Sequence, residues 1–98
     1  MKSKKIKPEQ IMKILRKHSK DMNKFKVKRI GLFGSFLKGN TNNKSDIDFL
    51  VDFNQLTFDN YIELKFFLEK IFHKKIDLVL EKSLKPQLNY IKKEAIYA

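Results

Sequence analysis

Apolar and polar positions along the chain alternate between two periods, one helical and one extended. Pro8 suits the first turn of a helix, and Ile11, Ile14, Leu15, His18 and Met22 then fall on one side at helical spacing, which predicts a helix from about Pro8 to Ser19. Residues 1–7 read as a loose basic arm. Val27 to Phe33 (VKRIGLF) reads as a strand, and Gly34 to Ser45, rich in Gly, Asn, Thr and Ser, as a turn and loop. Asp46 to Phe53 is predicted as a strand with clean alternation. Ile47, Phe49, Val51 and Phe53 share one face, while Asp46, Asp48, Leu50 and Asp52 share the other. A strand with one apolar face implies a sheet covered by helices on that side only.

Asp59 is placed to cap the next helix. Tyr61, Leu64, Leu68 and Ile71 form its main stripe, so it runs to about Phe72. Phe58, Ile62, Phe66 and Phe67 add more apolar surface than one stripe needs. They predict either a helix wrapped by the terminal helices or a docking face for another chain. Ile76 to Leu80 reads as a third strand, with Ile76, Leu78 and Leu80 towards the core and Asp77 and Val79 on the other side. Pro86 opens a last helix carrying Leu88, Ile91 and Ala95. The predicted order is α-β-α/loop-β-α-β-α.

Composition limits what this fold can be. Ninety-eight residues, with no internal repeat or linker, predict a single domain over 1–98. The formal net charge of +11 fits an anionic partner, whether nucleotide, nucleic acid or an acidic protein face, and equally a Lys-rich solvated surface. With no Cys, disulfides and thiolate metal sites are excluded. No apolar stretch approaches the ~20 residues of a membrane span. No apolar signal core follows the basic start MKSKKIKPEQ, so the expected location is the cytoplasm.

The stretch GLFGSFLKGNTNNKSDIDFLVD, Gly31 to Asp52, concentrates the chemistry. Residues two apart on a strand point the same way, so Asp46 and Asp48 project side by side from the face opposite the core. Two such carboxylates repel unless a cation lies between them, and oxygen-only ligands on an open site suit Mg²⁺ or Mn²⁺. The helix ending near Phe72 is long enough to return the chain parallel to the previous strand. A neighbouring third strand would bring Asp77 onto the same face. The loop before Asp46 returns the end of the first strand towards the start of the second, which sets Gly34 and Ser35 near the carboxylates. Gly34 lets the backbone approach a phosphate closely, Ser35 offers an N–H and a hydroxyl, and a short helix starting there would aim its positive end at an anion. Taken singly these are an ordinary turn and ordinary surface aspartates. Their joint arrangement points to phosphoryl or nucleotidyl transfer. His18, His73, Tyr61, Tyr90 and Tyr97 fit packing or surface roles.

GSFLKG followed by SDIDFLV resembles the signature of the DNA polymerase beta-like nucleotidyltransferases, in which Gly-Ser precedes a paired Asp-x-Asp. From FDNYIELKFFLEKIFHKKIDLVL to the end, the chain is similar to the minimal nucleotidyltransferases, small stand-alone domains often encoded beside a HEPN-domain protein. The resemblance covers nearly everything after about residue 8. It implies an α+β fold: a short three-stranded mixed sheet with helices on one face. It also implies that Gly34 and Ser35 bind the triphosphate of ATP, and that Asp46, Asp48 and Asp77 hold metal, two Mg²⁺ ions with Mn²⁺ as an alternative. Asp77 would in addition help deprotonate the incoming hydroxyl. Lys38 stands where family members commonly have Arg, keeping the charge without the bidentate fork. The implied reaction is transfer of AMP to a tyrosine of a HEPN toxin, which would make this chain the antitoxin.

Two other functions stay open. One is an antitoxin acting by occlusion without catalysis. The other is nucleic-acid binding through Lys2, Lys4, Lys5, Lys7, Lys24, Lys26, Lys28 and Arg29, steeply salt dependent and without a helix-turn-helix pattern.

Overall fold

The computed structural model describes residues 6–39 and 46–98. Helix α1, Pro8–Lys17, starts where Pro8 needs no N–H partner, and Gln10 Oε1 accepts the Lys7 N–H at 2.7 Å. It buries Ile11, Met12 and Leu15. His18 leaves helical geometry (ψ 26°), so the single helix expected to reach Ser19 is two, the second being α2, Ser19–Lys24. Of the loose arm expected over 1–7, residues 1–5 lie outside the described residues. Ile6 packs against the core.

Strand β1 is Val27–Phe33, followed by the one-turn helix α3, Ser35–Lys38. Residues 40–45 of the expected loop lie outside the described residues. Strand β2 is Ile47–Phe53, and helix α4, Phe58–Phe72, crosses to β3, Ile76–Leu80. Thr57, not Asp59, caps α4: its side chain accepts the Asn60 N–H at 3.0 Å. Both are cap-type residues, and the one in extended geometry just before the first helical turn takes the role. The expected last helix from Pro86 is three pieces: a 3₁₀ turn at Pro86–Leu88, helix α5 at Tyr90–Glu94, and a two-residue strand β4, Ile96–Tyr97.

Among the described residues, four strands make one mixed sheet in the order β3-β2-β1-β4, one more than the three expected. β2 and β3 run parallel, as the length of α4 requires, and the other pairs are antiparallel. The helices α1 and α4 cover one face. Ile47, Phe49 and Val51 of β2 meet Leu64, Leu68 and Phe72 of α4 and Ile11 and Leu15 of α1 in one core. Each such side chain stabilises the fold by about 1.5–3 kcal/mol through burial.

The opposite face is not bare. Leu50 and Asp52, expected on an open surface, are both buried there, because the chain after β3 folds back over that end of the sheet. A 3₁₀ turn at Glu81–Ser83 packs on β2. The surplus apolar residues of α4 divide. Phe67 is covered by His18 and Phe25, each ring 5.4 Å away, while Phe58 and Phe66 stay 77% and 60% exposed.

Candidate active site

Parallel pairing aligns the acidic residues. β2 and β3 pair with Asp48 directly beside Asp77, and β1 pairs with Phe33 opposite Asp48. Asp77 faces away from the core, since its neighbours Ile76 and Leu78 are both buried in it. The turn after β1 therefore falls onto Asp48. Gly34 has φ +79° and ψ −151°, a backbone that only glycine adopts without strain. It is also pressed against the carboxylate: a Cβ there would fall on Oδ2 of Asp48 and within 2.9 Å of its Cγ. The next residue, Ser35, donates its backbone N–H to Asp48. Gly34 and Ser35 are thus half-buried and lie against the Asp48 carboxylate.

The electrostatics follow from this crowding. Burial pushes the Asp48 carboxyl up from 3.8 to about 6. The negative charge of Asp77 adds to that, the Ser35 N–H opposes it, and a hydrogen bond with Asp77 and the charge of Asp46 raise it further. Burial and the neighbouring Asp77 together thus disfavour a charge on Asp48. Asp46 stands one residue before β2, exposed. Among the described residues, no three His, Asp or Glu side chains gather closely enough to hold a metal ion as they stand. The donor chemistry of the Asp48–Asp77 pair nevertheless fits a hard divalent cation: all-oxygen, like-charged ligands whose mutual repulsion a cation would relieve.

Lys38 sits differently. It ends α3, is exposed, and its Nζ lies 3.9 Å from Oε1 of Glu94. Gly39 terminates the helix in the left-handed region, φ +80°.

A second cluster on the same sheet face has no counterpart in the motif. Glu81, only 4% exposed, accepts from Arg29 Nη2 at 2.6 Å and Nε at 3.1 Å, and from the Tyr97 hydroxyl at 2.8 Å. Burial alone would raise the Glu81 carboxyl, but these donors hold it below its ordinary value. Burial, with the hydrogen bond to that carboxylate, pushes Tyr97 up to about 12. The Arg29 guanidinium lies 5.1 Å from the Tyr97 ring centroid. Gly31 makes room for the ring, since a Cβ there would come within 2.9 Å of it. A glycine inside a strand was the available sign of this close approach. The cluster ties β4 and the turn after β3 to β1.

All these elements fall within residues 10–98, the span that matches the nucleotidyltransferase domain family. The chain belongs to that family. This nucleotidyltransferase is 37% identical over 92 residues to the protein adenylyltransferase MntA of Thermococcus cleftensis, covering 91% of this chain and 93% of the relative. Among solved structures it is similar to a candidate minimal nucleotidyltransferase, with TM-score 0.79 and 27% identity over 96% of this chain and 98% of that one. It is also similar to a crystal structure of a toxin–antitoxin with AMP-PNP, with TM-score 0.65 and 26% identity over 94% of this chain and 72% of that one. Among the described residues of this nucleotidyltransferase, no helix is long and apolar enough to cross a membrane.

Proposed function

We propose that this nucleotidyltransferase is a Mg²⁺-dependent protein adenylyltransferase that moves AMP from ATP to a tyrosine hydroxyl of a HEPN-domain toxin, and so acts as its antitoxin. One observation carries the reading: Asp48 and Asp77 stand in register on parallel strands, with the Gly34–Ser35 backbone closed onto the Asp48 carboxylate. The relative named protein adenylyltransferase supports the reaction, and the toxin–antitoxin structure with AMP-PNP supports both nucleotide and partner.

In this reading Asp48 and Asp77, with Asp46 beside them, hold the metal. When bound, Mg²⁺ neutralises the triphosphate and eases deprotonation of the acceptor hydroxyl. The chain's own residues orient the reactants. The Gly34–Ser35 turn seats the triphosphate against the end of β1. Asp77 lies on the outer face of β3, where a hydroxyl from a second molecule can reach it, and takes the proton that leaves the acceptor oxygen. That oxygen forms a bond to the α-phosphorus, the bond to the β-phosphate oxygen breaks, and pyrophosphate departs.

One observation favours a second reading, inhibition by occlusion: Phe58 and Phe66 present apolar surface on α4 that this chain leaves uncovered. One experiment separates the two. The chain and its HEPN partner are incubated with labelled ATP and Mg²⁺. Label on the partner that disappears with Asp48→Asn supports transfer. Neutralisation that survives substitution of Asp46, Asp48 and Asp77, with no label transferred, supports occlusion.

A further inference from the structure

Asp48 and Asp77 are held very differently. β2 is hydrogen-bonded on both sides, by β1 and by β3, whereas β3 stands at the edge of the sheet and is only five residues long. An edge strand leaves half of its backbone groups unpaired and opens more readily than a central one. Asp77, exposed on that strand, is therefore the carboxylate whose position needs support from outside the sheet.

That support comes from α4. The Ile47 N–H donates to the Lys75 carbonyl at 3.1 Å, so residue 75 turns its carbonyl towards β2. Successive residues of a strand direct their backbone groups to opposite sides. Asp77 therefore turns its own N–H and C=O to β2, and Ile76 and Leu78 turn theirs to the free edge. One edge group on each side of Asp77 is occupied by a side chain of α4. Glu69 Oε2 accepts the Ile76 N–H at 3.3 Å, and the Tyr61 hydroxyl donates to the Leu78 carbonyl at 2.6 Å. The two residues lie about two turns apart on the helix, which runs back along β3, so the earlier one meets the later strand residue. Burial, and then the charge of Asp77, raise the Tyr61 hydroxyl above the ordinary phenol value, which keeps it a donor.

We infer that Tyr61 and Glu69 are positioning residues for the acidic pair, fixing the backbone on either side of Asp77 so that its carboxylate can share a cation with Asp48. Ligands that share one ion must be held to within about 0.5 Å, and an edge strand alone does not supply that precision. The inference rests on the metal reading of Asp48 and Asp77 and deepens it by assigning to α4 the task of holding one ligand in place.

The test measures metal binding, not turnover. The full chain and its Tyr61→Phe, Glu69→Met, Glu69→Gln, Tyr97→Phe and Asp48→Asn variants are titrated with Mn²⁺ alone, and the free ion is followed by electron paramagnetic resonance. Phenylalanine removes only the hydroxyl. Methionine and glutamine both remove the charge of Glu69, but glutamine keeps an acceptor for the Ile76 N–H. Tyr97→Phe is the matched control, deleting a hydroxyl hydrogen bond to Glu81 instead of one to β3. Tyr61→Phe and Glu69→Met should each weaken Mn²⁺ about 10-fold, the lower end of what groups supporting a metal ligand usually contribute. Glu69→Gln and Tyr97→Phe should stay within about 2-fold of the wild type. Wild-type affinity in Tyr61→Phe or Glu69→Met, an equal loss in Tyr97→Phe, or no recovery in Glu69→Gln would overturn the inference and leave the metal reading standing. A wild type that binds no Mn²⁺, or whose binding survives Asp48→Asn, would end the metal reading and the inference with it.

Discussion

Replacing Asp48 by Asn should make the protein more stable while removing its activity, and the gain should depend on pH. In the folded chain the Asp48 carboxyl is raised from 3.8 to about 6, first by burial and then by the charge of Asp77. Between those values the folded state holds a proton that the unfolded state has lost. Stability from this group is therefore present at low pH and declines as pH rises through about 6. The whole shift corresponds to about 3 kcal/mol, and solvent screening of a partly exposed carboxylate reduces it to roughly 1–2 kcal/mol. Asparagine keeps the shape and an acceptor for the Ser35 N–H but carries no charge. Melting curves recorded by circular dichroism in chelator, from about pH 4 to about pH 8, should coincide for wild type and Asp48→Asn at the acid end. They should separate progressively between about pH 4 and pH 6 and stay apart above it, with the variant melting higher by about 4–8 °C for each kcal/mol. Adding Mg²⁺ near pH 8 should raise the wild type and leave the variant where it was. Parallel pH profiles for the two proteins, or a variant less stable at the alkaline end, would refute the picture of a strained acidic pair.

Other substitutions probe the surrounding parts. Gly34→Ala forces a side chain onto Asp48 from a backbone with φ +79°, so it should cost about 1–3 kcal/mol in urea unfolding and abolish transfer. A variant of wild-type stability and activity would contradict the close contact. Tyr97→Phe deletes one of the donors to buried Glu81 and should cost about 1–2 kcal/mol, read as a lower urea midpoint at constant m-value. Thr57→Ala removes the α4 cap and should cost about 1 kcal/mol by the same measurement without changing transfer kinetics, because α4 begins at the far end of the strands from the acidic pair.

Strands and site were largely legible in the sequence, for a definite reason. β2 and β3 alternate at period two in their sequences, so their faces could be read, and α4 is long enough to return the chain so that β2 and β3 run parallel. Parity then placed Asp77 on the same face as Asp48. What stayed hidden depends on partners far away in the chain. β4 is two residues long and has no period to read. Glu81 is buried only because Arg29, 52 residues earlier, and Tyr97 meet it. The register shift between Val27 and Arg29 lets both Val27 and Ile30 reach the core, which strict alternation forbids. The split at His18 likewise reflects packing on Phe67 and a 3.1 Å contact with Asp21, not a helix-stop signal.

The central claim is that Asp48 and Asp77, in register on β2 and β3, form a centre for nucleotidyl transfer to another protein. Intact-mass spectrometry of this chain and its HEPN partner, after exposure to ATP and Mg²⁺, measures that most directly. The account predicts a mass gain of one or more AMP units on a partner tyrosine, lost with Asp48→Asn or Asp77→Asn. An unmodified partner in the presence of active wild-type protein, or modification that persists in both variants, would contradict it.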